Sequence, residues 1–198
     1  MNSPEASSTG RPSANLLVVL SGPAGVGKTS VRDLLLQDSR FVFSVSATTR
    51  PPRPAEREGV DYHFLSESDF ESRVRRGEFL EHAVVHGNRY GTLKQEVMEA
   101  LERGGVPLLD VDVQGAASIR SLGWPAIYVF IRPPCFEELE RRIKGRKTED
   151  PSSTARRLAR AREELDLAST YDFVSTNDDL ERCTNEIRRY LESRLRPT

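Results

Sequence analysis

The stretch NLLVVLSGPAGVGKTS, residues 15–30, decides the fold. Its first half is a continuous apolar run, which fits a strand buried on both faces in a parallel sheet; a half-exposed strand would alternate instead. Its second half carries Gly22, Gly27, Lys28 and Thr29 in the spacing G-x-x-x-x-G-K-[ST]. A strand before this motif and a helix after it complete its context. Glycines let the backbone curl until successive N–H groups face a phosphate, and the following helix adds positive potential at its N-terminus. The loop Gly22, Pro23, Ala24, Gly25, Val26 and Gly27 therefore reads as a cradle for a nucleoside triphosphate. Lys28 supplies charge to the β and γ phosphates, and the Thr29 hydroxyl helps to hold Mg2+. Motors, GTPases and small kinases share this loop, so the acceptor has to be read elsewhere.

Outward from the loop, Thr29 to Asp38 reads as a helix with Val31, Leu34 and Leu35 on one face. Further apolar runs follow at VPLLDVDV (106–113), AIYVFI (126–131) and DFVST (172–176), each succeeded by a helical pattern. Strand and helix thus alternate, as in an α/β protein with an open, mostly parallel sheet flanked by helices. Between Phe41 and Arg89 the rhythm changes to short extended pieces punctuated by proline, glycine and charge, which marks an inserted subdomain. Within it Ser66 and Asp69 form a capping box. After it, Thr92 is expected to cap a helix carrying Leu93, Val97 and Leu101. The irregular stretch KGRKTEDPSS (144–153) lies between two arginine-rich helices and reads as a mobile lid. A last helix from about Asp178 to Arg194 buries Leu180, Cys183, Ile187 and Leu191, which makes Cys183 a core residue.

The whole chain narrows the function classes. Its 198 residues suit one domain with room for insertions. Thirty acidic against 29 basic residues leave a net charge of −1, which offers no overall attraction for nucleic acid or a membrane surface. No apolar run is long enough to span a bilayer. Residues 1–14, MNSPEASSTGRPSA, lack the apolar segment of a secretory signal and read as a disordered tail; the other reading is an Arg/Ser-rich targeting presequence, against which Glu5 and a lone arginine count. Cys135 and Cys183 lie far apart, and His63, His82 and His86 are not at ligand spacing, so neither a disulfide framework nor a zinc site is expected. A reducing, cytoplasmic setting fits. Lysine occurs only at positions 28, 94, 144 and 147, so arginine is the background cation and a lone arginine says little.

The acceptor is sought in SVSATTRPPRPAEREGVDYHF (44–64) and GEFLEHAVVHGNRYGT (77–92). Arg50 and Arg53, three apart around prolines with Tyr62 nearby, have the chemistry to grip one phosphate through charge-assisted bonds. Glu81 is a carboxylate among basic and aromatic neighbours, and it matches the paired N1–H and N2–H2 donor edge of guanine. From these residues alone a solvated charged loop reads equally well.

Taken together, LSGPAGVGKTS, SVSATTRPPRP, GVDYHF, GEFLE, HGNRYGT, DVDVQGA, RRIKGR and YDFVSTNDDL resemble the guanylate kinase family, in order, over about Leu16 to Leu191. The resemblance implies a P-loop nucleoside triphosphate hydrolase-like sheet flanked by helices, with an inserted mixed α+β GMP-binding subdomain and a helical lid. The implied division is a domain over 15–195, with core 15–42 and 92–195, insertion about 43–91 and lid about 142–157. It implies ATP-dependent phosphorylation of GMP, and of dGMP, to the diphosphate with Mg2+, by a monomer or weak homo-oligomer. Carried over by position, Arg50, Arg53, Tyr62 and Tyr90 would hold the GMP phosphate, and Ser46, Glu81, Thr92 and Asp112 the guanine. Asp110 would stand near the outer shell of the metal. Arg142, Arg146 and Arg157 would be the lid arginines, and Asn177 would border the adenine.

Ala24, His82, Arg89 and Lys147 depart from the family pattern. Lys147 bears on lid mobility, because the family has the more permissive glycine there. Guanylate-kinase-like domains also serve as non-catalytic phosphopeptide-binding modules; an intact loop and lid arginines favour the enzyme. A kinase of the same fold acting on a sugar phosphate would leave Glu81 and Asp112 without donors to accept.

Overall fold

The computed structural model describes residues 16–85, 87–145 and 151–195. The tail expected over 1–14, the histidine at 86, and Arg146 and Lys147 of the expected lid lie outside the described residues. The chain runs β1 (Leu17–Ser21), α1 (Lys28–Leu35), β2 (Phe41–Phe43), β3 (Ser46–Thr48), β4 (His63–Phe64), α2 (Glu67–Arg75), β5 (Phe79–Val85), β6 (Asn88–Leu93) and α3 (Lys94–Glu102). It continues through β7 (Val106–Asp110), α4 (Val113–Ser121), β8 (Ala126–Arg132), α5 (Phe136–Lys144), α6 (Pro151–Asp166), β9 (Phe173–Thr176) and α7 (Leu180–Leu195).

Five strands form one wholly parallel sheet in the order β2-β7-β1-β8-β9. Leu17 to Leu20 of the central β1 have no exposed surface, which explains the unbroken apolar run. Alternate side chains enter different cores. Val18 and Leu20 join Val31, Leu35, Ile187 and Leu191 on one face. Leu17 and Val19 join Val97, Leu109 and Ile119 on the other. Cys183 lies fully buried in the first core, as its spacing predicts.

The carboxyl ends of β1 and β7 are neighbours, with Leu20 in register with Asp110. Open α/β sheets bind ligands outside the carboxyl ends of their strands, and the glycine-rich loop emerges there.

A second, four-stranded sheet has the order β4-β3-β6-β5, with β3 and β4 parallel and the other pairs antiparallel. Its own small core stacks Phe70 of α2 on Phe79 at 4.4 Å between centroids, beside Ala47 and Leu93. The chain changes sheets between Phe43 and Ser46, and β6 extends the second sheet to Leu93.

Two local expectations are corrected. The first helix stops at Leu35, because Asp38 accepts the Arg40 N–H at 3.0 Å and turns the chain. Thr92 does not cap α3. It sits in β6 and donates both N–H and hydroxyl to Glu81, while the cap position is Leu93 with no side-chain bond. The Ser66 cap does form: its hydroxyl accepts the Asp69 N–H at 3.1 Å and donates to the Asp69 carboxylate at 2.6 Å.

Candidate active site

The loop between β1 and α1 is shaped by backbone. Gly22 and Gly27 hold φ of +141° and +98°. A Cβ at Gly22 would collide with the Ile131 carbonyl, and one at Gly27 with the Asn177 amide, so both positions require glycine for space as well as for conformation. The Lys28 ammonium donates to the Gly22 carbonyl at 2.7 Å and stands 4.0 Å from Asp110. Burial pushes the Asp110 carboxyl up, against the opposing pull of Lys28. Behind the loop, the Asn177 amide donates to the Val26 carbonyl at 2.7 Å. Arg142 of α5 donates to that same carbonyl at 3.4 Å and to the Asn177 carbonyl at 3.1 Å. Thr29 is exposed in the first turn of α1.

On the acceptor side, sheet register assembles what sequence separates. Ser46 of β3 pairs with Thr92 of β6, and Thr92 pairs with Glu81 of β5, so the three lie in one row. All three are buried. Glu81 Oε1 accepts the Thr92 N–H at 3.0 Å and its hydroxyl at 2.7 Å. Its Oε2 lies against α4, where a Cβ on Gly115 would stand 2.8 Å away. Burial pushes the Glu81 carboxyl up to about 7, opposed by the two Thr92 bonds and reinforced by the charge of Asp112.

Arg50 donates to both oxygens of Glu56 at 2.8 Å and to the Tyr90 hydroxyl at 3.3 Å, with its guanidinium 5.5 Å from the Tyr62 ring. Glu56 also accepts the Arg53 N–H at 2.8 Å, so one carboxylate arranges both arginines. Burial drives the Tyr62 phenol well above its ordinary value, which keeps it a neutral donor.

These groups share one cleft of about 280 Å³. From the loop side it is lined by Gly22, Ala24, Lys28 and Asp110. From the second sheet come Ser46, Glu81 and Tyr90, and from the loop between β3 and β4 come Arg50, Arg53 and Tyr62. Asp112 and Arg157 complete the residues expected from the sequence. Other expected residues stand behind the surface. Thr92 supports Glu81, Asn177 and Arg142 brace the loop, Val26 is fully buried, and a Cβ on Gly25 would stand 3.1 Å from the Ile143 side chain. Pro23 is buried and accepts the Val26 N–H, and neither Gly27 nor Thr29 lines the cleft.

Three residues at the site escaped the sequence reading. Glu56 was legible from its place three residues after Arg53. Arg160 and Glu164 follow Arg157 at i+3 and i+7, one helical face, and that periodicity was the available signal. Glu164 lines the cleft and is buried, and Arg160 bridges it to Asp112 at 2.9 and 2.5 Å.

The family model described as Guanylate kinase matches residues 14–194. The chain belongs to the guanylate kinase family. A Guanylate kinase of Nostoc sp. is 46% identical over 171 residues, covering 86% of each chain. Guanylate kinase 1 of Oryza sativa subsp. japonica is 45% identical over 179 residues, or 88% of this chain, which spans 47% of that relative's length. The crystal structure of guanylate kinase from Anaplasma phagocytophilum superposes with a TM-score of 0.78 at 33% identity, covering 94% of this chain and 89% of that one. The parallel sheet with a second mixed sheet is therefore the fold of this family. Among the described residues, no helix is long and apolar enough to cross a membrane.

Proposed function

We propose that this chain transfers the γ-phosphoryl group of ATP to the phosphate of GMP, and of dGMP, giving ADP and the nucleoside diphosphate. The observation that carries the reading is the single cleft lined on one side by the phosphate loop and on the other by Glu81, Asp112, Arg50 and Arg53. Glu81 is the guanine reader: as a carboxylate it accepts from N1–H and N2–H2, a pattern that adenine lacks. Arg50, Arg53, Tyr62 and Tyr90 take the monophosphate, with Glu56 holding the arginines ready.

The attacking group is a phosphate oxygen already ionised, so no general base is required. Positioning and positive charge carry the transfer, with Lys28 on one side and Arg157 entering from α6. Closure of the arginine-bearing helices over the cleft would keep water from taking the phosphoryl group.

The residues present fit Mg2+ delivered with the triphosphate. Among the described residues, no group of three His, Cys, Asp or Glu side chains could hold a metal unaided. Magnesium favours phosphate and water with one or two protein oxygens. The Thr29 hydroxyl would be one such oxygen, with the Asp110 carboxylate near the ion's outer shell. Bound there, the ion would neutralise phosphate charge during transfer.

A coupled assay of ADP formation against GMP, dGMP, AMP, CMP, UMP and dTMP tests the proposal. Turnover is expected with GMP and dGMP. Turnover with another monophosphate and none with GMP would overturn the guanine assignment.

A further inference from the structure

Asp112 sits where the core sheet, the guanine side and α6 converge. Its Oδ1 accepts the Gly115 N–H at 2.9 Å and caps α4, which fixes the carboxylate to the packed core. Its Oδ2 accepts Arg160 Nη2 at 2.5 Å, while Nε of the same guanidinium donates to Glu164 Oε1 at 2.9 Å. One rigid fork thus joins two carboxylates, and only 9–21% of the three side chains is exposed. A lysine has a single nitrogen and cannot reproduce that fork.

Arg157, Arg160 and Glu164 share one face of α6, with Arg157 and Glu164 both lining the cleft. Arg160 therefore ties α6 to Asp112 beside the cleft that Arg157 lines. We propose that Arg160 is a positioning residue for phosphoryl transfer: it ties α6, and with it Arg157, to the guanine-side carboxylate Asp112, so that acceptor binding and placement of Arg157 are coupled.

The inference rests on the guanylate kinase reading above. A carboxylate has lone-pair sites enough to accept a guanine donor while keeping Gly115 and Arg160. Guanine on Asp112 then adds a further partner to the carboxylate that Arg160 grips, and α6 is held in the position that serves the triphosphate. Linkage requires the converse: a bound triphosphate tightens GMP by the same factor.

Calorimetry with a non-hydrolysable ATP analogue, Mg2+ and GMP on the full chain tests this. In the unaltered protein the analogue is expected to bind about tenfold more tightly with GMP present than without it. In Arg160→Met that factor falls to about twofold or less, and kcat falls with it. Asp112→Asn loses the same factor, and the double variant loses no more than either single one. Arg160→Lys keeps the charge but not the fork; it is expected to keep less than half the effect and stands in if Arg160→Met does not fold.

Full GMP-dependent tightening in folded Arg160→Met or Arg160→Lys would overturn the proposal, as would its absence from the unaltered protein. Failure of the underlying reading looks different: the unaltered protein would then give no heat of binding with GMP alone.

Discussion

The two sides of the cleft are built on different principles. The phosphate loop is one continuous segment whose shape comes from backbone: two of its glycines are wedged against Ile131 and Asn177, and its Val26 carbonyl is clamped from behind. The acceptor side is a mosaic of side chains drawn from β3, β5, β6, the loop before β4 and the cap of α4. Local backbone geometry is dictated by residue type within a few positions. A mosaic needs a sheet to bring distant positions into one row. The donor side should therefore fail through single residues of the loop, and the acceptor side through register, burial and charge.

The largest expected effect is on the donor side. Lys28→Ala should lower kcat by about 10³-fold, the scale for removing a preorganised charge from the transition state, with GMP affinity by calorimetry within about twofold. A tenfold loss of GMP affinity would break the separation of the two sides. Next, Glu81→Ala should weaken GMP binding by roughly 10²-fold and abolish the preference for GMP over AMP, leaving the ATP analogue unaffected. Unchanged GMP affinity in this variant would remove Glu81 from the guanine subsite.

Acidity sharpens the same contrast. Only ionised Glu81 accepts both guanine donors, and burial pushes its carboxyl up to about 7. GMP affinity should therefore fall roughly tenfold between pH 7.5 and pH 6, beyond the contribution of the phosphate's own ionisation near 6. Glu81→Gln isolates that contribution, and a wild-type profile parallel to the Gln profile would contradict the assignment.

The folded-state value lies above the ordinary 4.5, so between 4.5 and about 7 the folded chain holds more protons than the unfolded one. Stability should decline as pH rises through that window, by about 3 kcal/mol, and denaturant melts of Glu81→Gln should lack this component. The smallest effect is expected for Glu56→Gln, about a threefold rise in KM for GMP, because the arginines remain and only their arrangement is lost. A change above thirtyfold would mean that Glu56 has a further role.

Legibility followed the same division. The loop, its strand and its helix could be read directly, because glycine spacing and an unbroken apolar run each have a local physical cause. Cys183 was readable as core from helical spacing. Thr92 was misread as a helix cap, since a threonine before a helical pattern is locally indistinguishable from a strand residue whose hydroxyl serves a carboxylate across the sheet. By resemblance Arg142 is a lid arginine and Asn177 borders the adenine; that both also donate to the Val26 carbonyl is a contact no local pattern announces. Arg160 escaped notice because arginine is the common cation of this chain and only the meeting of α6 with Asp112 distinguishes it.

By itself the sequence determined the parallel α/β core, the phosphate cradle and, through joint motifs, the family. These depend on residue type over short spans, where steric freedom, periodicity and burial act independently of the rest of the chain. Tertiary structure alone decided that Ser46, Thr92 and Glu81 share one row, that Glu81 is buried against Gly115 with its carboxyl pushed up to about 7, and that Arg160 joins α6 to Asp112. Register, desolvation and long-range ion pairs are properties of packing, and a linear pattern does not contain them.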